Sequence, residues 1–277
     1  MKLGIDAGNH SIKIMGEAGA FKCSSALGEH RERRFNEVFG TDDVEFEFRG
    51  RKGFAGRLAE VESLYAGSIA GTTKAHEDAL LRVLIGISLY PTSALSYEII
   101  VGQPISTHTP EAKKQIKTML QGDHAIVIND ERRNILIERV EVAAEGGVAY
   151  WSAPRKGLIR ILDFGSGTVN GATLLDGKYV DRDSFTMAFG TETLDLSNAE
   201  AFVRAVFIKA QQKRWKRTDT ILIVGWSAES MLQLVQKHYE NAEVLRPRDP
   251  NREGLVYISP VFANAVGMYR VAQEVFK

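Results

Sequence analysis

Two short stretches of this chain carry the same order of chemically useful side chains. Ile5-Asp6-Ala7-Gly8-Asn9-His10-Ser11-Ile12 and Leu162-Asp163-Phe164-Gly165-Ser166-Gly167-Thr168-Val169 both read apolar, Asp, any, Gly, small polar, any, hydroxyl, β-branched. Glycine removes the Cβ that keeps backbone N–H groups away from phosphate oxygens, and the neighbouring hydroxyls and amide add donors. An aspartate at each turn can hold Mg²⁺ through its waters, since this hard cation dehydrates reluctantly and leans on phosphates for the rest of its shell. Lys13, two residues past the first hydroxyl, could neutralise terminal phosphates. A lone Asp-x-Gly stretch is an ordinary turn. Two of them in one chain can face each other across a cleft and close on one ligand.

The elements around these turns follow from hydrophobic periodicity. The first sixteen residues read as strand, turn at Ala7-Gly8-Asn9, and strand through Ile12 and Ile14. VEFEFRGRKGF at 44–54 alternates apolar and charged residues around Arg49-Gly50, a half-exposed hairpin. A loop or short helix carries Arg31 to Arg34 before it. Leu80, Leu81, Leu84 and Ile85 sit at helical spacing within 77–89, and Pro91 stops the helix. YEIIVGQPI at 97–105 is a buried strand, 110–120 a polar helix, and 124–129 and 135–142 are two further strands. From Ile159 the order is strand, turn, strand, a helix from Ser197 to Gln212, strand, helix, and a last helix after Pro260. Strands mixed with returning helices give an α/β or α+β architecture.

Composition sets the outer bounds. The 277 residues allow one large domain or two of about 140. Lys plus Arg equals Asp plus Glu at 35 each, so no global field draws the chain to nucleic acid or an acidic membrane. The single Cys23 rules out an intrachain disulfide, reads as a core filler and fits a cytoplasmic protein. MKLGIDAGNH lacks a signal-peptide core, and no run of 18 uncharged apolar residues exists, so no membrane partner is expected. The six histidines form no i, i+4 pair, and G-x-S-x-G and G-x-x-x-x-G-K-[ST] are both missing, which removes zinc, acyl-transfer and P-loop chemistry.

With these residues on the page, the chain resembles the actin, sugar kinase and 70-kDa heat-shock chaperone superfamily. GIDAGNHSIKI at 4–14 is similar to its first phosphate loop and ILDFGSGTVNGATL at 161–174 to its second. EVAAEGGVAYW at 141–151 and SPVFANAVGMYRVA at 259–272 stand where its two connections lie, and ILIVGWSAESM at 221–231 where its adenosine-side segment lies. FEFRGRKGFAGRLAEVES at 46–63 and PVFANAVGMY resemble the bacterial plasmid-segregation actins of the ParM and AlfA group. The resemblance implies an α/β, actin-like (ribonuclease H-like) two-domain fold with a nucleotide cleft. Domain I would span 1–150, with a small-subdomain hairpin at about 20–58 and the returning helix 262–277, and domain II would span 151–261. Fewer than fifty residues separate Leu174 from Ile221, so the second small subdomain of domain II should be reduced or absent.

The resemblance also assigns roles. Asp6 and Asp163 would bind the Mg²⁺ shell, and Gly8, Asn9, Ser11, Lys13, Gly165, Ser166, Gly167 and Thr168 the phosphates. Gly225, Trp226 and Ser227 would flank the nucleoside. Trp226 replaces a customary glycine, and its indole could stack on the base, fill the space of the absent lobe, or simply pack, which leaves ATP against GTP open. Glu145 matches the residue that orients the attacking water, the alternative being a surface glutamate before Gly146-Gly147. The implied function is an ATPase of slow, assembly-coupled turnover that polymerises with itself and moves plasmid DNA through a DNA-binding adaptor. The alternatives are a small-molecule kinase and a non-hydrolysing pseudo-actin. Finally, a helix running to Arg217 would present Lys209, Lys213, Arg214, Lys216 and Arg217 as a basic face for DNA, an adaptor or a filament neighbour, or as a solvated helix end.

Overall fold

Strand β1 (Lys2–Ala7) turns back on β2 (Ser11–Gly16), and β3 (Gly19–Ser24) continues the meander. The computed structural model describes all residues except 36–39, 68–73 and 194–197. Next come β4 (Leu27–Glu29), the hairpin β5 (Asp43–Phe48) and β6 (Arg51–Ala55), and helix α1 (Gly56–Glu62). Residues 36–39 of the expected 20–58 hairpin region lie outside the described residues. Helix α2 (Glu77–Leu89) follows, then β7 (Ser96–Gln103), α3 (Pro110–Leu120), β8 (Gly122–Ile128) and β9 (Glu131–Ala144).

Local chemistry explains the helix ends. His76 Nδ1 accepts from the Ala79 amide at 3.2 Å while Glu77 and Asp78 fill the first turn of α2. Thr109 caps α3 in the same way at 3.2 Å, with Pro110 at its first position. The expected strands at 124–129 and 135–142 are one longer hairpin, because β8 and β9 pair without a break from Gly122↔Ile137 to Ile128↔Glu131. The charged stretch Glu131-Arg132-Arg133 concealed that extension.

These strands form one nine-stranded sheet in the order β3-β2-β1-β7-β9-β8-β5-β6-β4. β1 is antiparallel to β2 and parallel to β7, which is parallel to β9. Successive β7 side chains serve opposite layers. Ile99 and Val101 join the α2 cluster with Leu80, Leu81 and Leu84, whereas Ile100 packs with Met268 and Ala272 of α6 (Ala263–Val275) and with Phe276 just beyond it.

The second sheet repeats the scheme. β10 (Leu158–Phe164) is antiparallel to β11 (Val169–Leu175) and parallel to β14 (Thr220–Gly225), which is parallel to β15 (Asn241–Val244). β12 (Lys178–Tyr179) and β13 (Phe185–Met187) pair on β11. Leu162 and Phe164 pack against α4 (Ala199–Gln212) and α5 (Ala228–Gln236), while Ile159 and Ile161 join Tyr150 and Ala263 on the other face. The repeated residues found in the sequence therefore reflect a repeated topology. Between β11 and β14, the described residues hold only β12, β13, α4 and short 3₁₀ turns, with no separate lobe. Among the described residues, no helix is long and apolar enough to cross a membrane.

The helix expected at 197–212 begins at Ala199 among the described residues, and Ser197 lies outside them. The basic face is corrected. Helix α4 stops at Gln212, where the amides of Lys213 and Trp215 both return to the Ala210 carbonyl and Arg214 adopts φ 66°. Trp215 is then buried, donating Nε1–H to the Asp183 carbonyl at 2.8 Å, and Lys213 Nζ donates to the Arg182 carbonyl at 3.3 Å. The five basic residues share no helical stripe.

Candidate functional site

The two turns are built alike. The last paired residues are Ala7↔Ile12 and Phe164↔Val169, and each intervening turn is closed by its glycine: Gly8 N–H donates to Ser11 O at 3.1 Å and Gly165 N–H to Thr168 O at 3.0 Å. Among the described residues the backbone amides of Asn9, Ser166 and Gly167 donate to no backbone carbonyl, so they are available to an anion. The second turn rests on the segment after β13, where Thr191 and Glu192 amides occupy the Gly165 and Ser166 carbonyls, each at 3.0 Å. That segment comes so close that a Cβ on Gly190 would stand 2.2 Å from Ser166 O. The tips themselves meet: a Cβ on Gly167 would lie 3.0 Å from Asn9 Nδ2.

Between the tips lies a cavity of about 540 Å³, within the range of small-molecule sites. Its wall includes Asp6, Gly8, Asn9, Ser11 and Lys13 from the first sheet and its turn, Asp163, Gly165, Ser166, Gly167 and Thr168 from the second, Gly225 at the end of β14 with Trp226 and Ser227 beyond it, and Glu145 after β9. All the phosphate, metal, nucleoside and water-orienting candidates named from the sequence thus border one space.

Register makes the twin aspartates unequal. Asp6 stands opposite Lys13 across the hairpin, and Lys13 Nζ donates to Asp6 Oδ2 at 3.0 Å. Asp163 stands opposite Asn170, an uncharged amide. Burial pushes both carboxyls up, but for Asp6 the charges of Lys13 and Lys74 outweigh it and leave the carboxyl below its ordinary value. For Asp163 burial dominates, the hydrogen bond from Asn264 opposes it, and the negative charges of Asp6 and Glu145 add to it, so the carboxyl rises to about 7.

Glu145 is 7% exposed, which sets aside its reading as a surface residue. Its amide donates to the Gln103 carbonyl at 2.9 Å, fixing the end of β9 to the end of β7. One carboxylate oxygen is ion-paired with Lys74 and the other faces Asn170 Nδ2 at 3.5 Å. Asn264, in the first turn of α6, accepts from the Gly146 amide at 3.0 Å and donates to Asp163 Oδ2 at 2.8 Å. One amide therefore ties the Glu145 turn to Asp163 of the other sheet.

Trp226 is 70% exposed and so fills no core. Lys22 Nζ of β3 lies 5.0 Å from its ring centroid, and the His10 ring is 6.5 Å away. His10 Nδ1 also meets Glu192 Oε1 at 2.7 Å. The cavity mouth is thus spanned by contacts between the two sheets. Gly225 must be glycine, since its φ is 100° and a Cβ there would stand 2.4 Å from Phe164 O.

Sequence reasoning missed Lys74, Arg82, Asn170 and Asn264, all of which border the cavity. Asn170 could have been found, because the register of a tight hairpin places it opposite Asp163. The other three arrive from distant segments.

The site fits a magnesium-bound nucleotide by its donor set. Ser227 Oγ is buried without a hydrogen-bond partner, and the free turn amides suit phosphate oxygens. No three His, Cys, Asp or Glu side chains among the described residues form a cage for a metal.

The sequence matches the family model for the N-terminal domain of actin-like proteins over residues 4–147, a little over half of the 277 residues. No curated protein matches. In structure the chain is similar to an AlfA filament bound to AMPPNP, at 19% identity and a TM-score of 0.78, covering 100% of this chain and 99% of that one. It is similar to a 15-stranded ParM filament from Clostridium botulinum, at 16% identity and a TM-score of 0.78 with 99% of each chain covered. It is similar also to an archaeal actin homologue, at 16% identity and a TM-score of 0.79 with 99% of each covered. Likeness at these identities concerns the fold, which is actin-like and mixed α/β.

Proposed function

This chain belongs to the actin-like protein family, and from that premise we propose that it binds ATP with Mg²⁺ in the cleft, hydrolyses it slowly, and polymerises with itself into filaments that carry plasmid DNA through a DNA-binding adaptor in the cytoplasm. The observation that supports this most is the meeting of two like turns, one from each sheet, around a cavity that also holds Asp6, Asp163 and Glu145. In this reading domain I comprises residues 1–150 and the helix 262–277, and domain II residues 151–261.

Each side chain then has a task. The turn amides, Ser11 and Thr168 bind phosphate oxygens, and Lys13 neutralises them. Asp6 and Asp163 hold the ion, which when bound spreads the phosphate charge. Glu145 orients the attacking water, a role that needs alignment more than basicity. Trp226 offers an open aromatic face at the mouth for a base, worth about 1–3 kcal/mol in stacking.

Light scattering and phosphate release after adding Mg-ATP test the reading together. Scattering with turnover supports it. Turnover that requires an added sugar or acid favours a kinase, and neither signal favours a pseudo-actin. Glu145→Gln should slow phosphate release by about 10²-fold yet still give filaments by electron microscopy; release at the parent's rate removes Glu145 from its role.

The missing lobe bears on affinity. Among the described residues the interval between β11 and β14 holds α4, β12, β13 and short 3₁₀ turns; in this reading one wall of a nucleoside site is open, and a neighbouring subunit supplies the remaining order on assembly. Nucleotide binding and polymerisation are then linked, each lowering the ordering cost of the other. Nucleotide affinity should be about tenfold or more tighter above the critical concentration than below it; equal affinities would count against the linkage.

A further inference from the structure

Arg82 is a guanidinium side chain only 2% exposed, on a helix whose neighbouring residues Leu80, Leu81 and Leu84 are core. A guanidinium so placed is costly unless its five N–H groups find acceptors. Nε donates to the Ser25 carbonyl at 3.1 Å, but Nη2 is shut from solvent with no partner. The nearby carboxylate, Asp78, is taken by Arg51 Nη1 at 2.7 Å. Arg82 also borders the central cavity, as do Lys74 and His76 from the segment that leads into α2.

Lys74 is held there deliberately by the backbone, its amide donating to Gln103 Oε1 at 3.1 Å at the end of β7. Its ammonium pairs with Glu145 and stands 3.9 Å from Asp6 Oδ1. The α2 side of the cleft therefore carries a guanidinium whose Nη2 lies unpartnered within the wall and a lysine that is ion-paired with Glu145. Neither cation belongs to the two phosphate turns.

We propose that Lys74 and Arg82 form a terminal-phosphate sensor, taking the last phosphate of a nucleoside triphosphate, or the orthophosphate left after its cleavage, and not the phosphates of a diphosphate. A phosphate dianion offers the oxygens that Arg82 lacks. It also draws Lys74 away from Glu145, which frees that carboxylate only when a cleavable phosphate is present. The inference rests on the nucleotide reading of the cleft and adds the group that tells triphosphate from diphosphate.

Calorimetric titration with AMPPNP, with ADP, and with ADP plus inorganic phosphate, all with Mg²⁺, tests it on the full chain. The parent should prefer AMPPNP, and Lys74→Gln and Arg82→Lys should each weaken AMPPNP at least tenfold while ADP stays within twofold. Glu145→Gln, which releases Lys74, should tighten AMPPNP. Inorganic phosphate that tightens ADP in the parent but not in Lys74→Gln would assign the same pocket to the cleaved product; phosphate without effect would confine the sensor to the intact triphosphate. Lys74 lies outside any helix or strand, so its variant stays informative even if Arg82→Lys does not fold. Equal loss for both nucleotides, or no loss, overturns the sensor. A parent that binds neither nucleotide overturns the nucleotide reading itself.

Discussion

Asp163→Asn should remove magnesium-dependent ATP turnover, lowering it by roughly 10²- to 10³-fold, the scale on which a single preorganised electrostatic element contributes. The same change should make the nucleotide-free protein more stable at pH 8. Burial among negative neighbours raises the Asp163 carboxyl to about 7 from an ordinary 3.8. The unfolded chain therefore gives up this proton near pH 4, whereas the folded chain keeps it until pH 7. Between those values folding is progressively penalised as pH rises, by an amount on the order of 4 kcal/mol once both states are ionised. Asparagine carries no such penalty and can still accept the Asn264 hydrogen bond. Asp6 does not mask the effect, because its lowered carboxyl contributes stability that is lost only as pH falls below about 4. Thermal melts from pH 5 to 8 beside phosphate-release assays give the result. A variant with full turnover, or a parent that gains stability from pH 5 to 8, would contradict this account of the site.

Arg160→Ala should have the largest effect on stability, about 3–5 kcal/mol. Arg160 is 3% exposed on β10 and is met on every side. Nε donates to Asp219 Oδ2 at 2.9 Å, Nη1 to Thr173 Oγ1 at 2.7 Å and Asp183 Oδ2 at 3.5 Å, and Nη2 to the Arg214 carbonyl at 3.4 Å. Its guanidinium carbon lies 5.4 Å from the Trp215 ring centroid. Removing the cation takes the Arg160 charge from the enclosed Asp219, leaves Asp183 to the exposed Arg182 at 3.5 Å, and takes the donor from the Arg214 carbonyl in the turn that ends α4. Urea denaturation should show the midpoint falling with little change of slope. Arg160→Lys should recover only part of the loss, since an ammonium cannot reproduce the planar fork. A loss below about 1 kcal/mol, the scale of exposed ion pairs, would overturn the view that this enclosed network depends on Arg160.

What could be read from the chain beforehand was what depends on neighbours in sequence. The Asp-x-Gly turns were legible because hairpin registry is local, and α2 and α3 because Pro91, Pro110 and the apolar spacing mark their limits. The missing lobe was legible as a short interval between Leu174 and Ile221. The end of α4 at Gln212 was legible, but the departure of residues 213–217 from its basic face was not, because neither glycine nor proline marks it and the deciding event is Trp215 entering the core beside Tyr239 and Phe185. Lys74, Arg82 and Asn264 were hidden for a related reason. Each reaches the cleft only because β7 inserts beside β1 and α6 returns beneath both, which periodicity does not specify.

The position of Asn264 has a bearing on how the protein is made. A ribosome that has translated as far as residue 258 has already produced both sheets, both turns and Glu145, yet not the amide that joins Gly146 to Asp163. The amide that ties the Glu145 turn to the second sheet is thus among the last parts of the cleft to be synthesised.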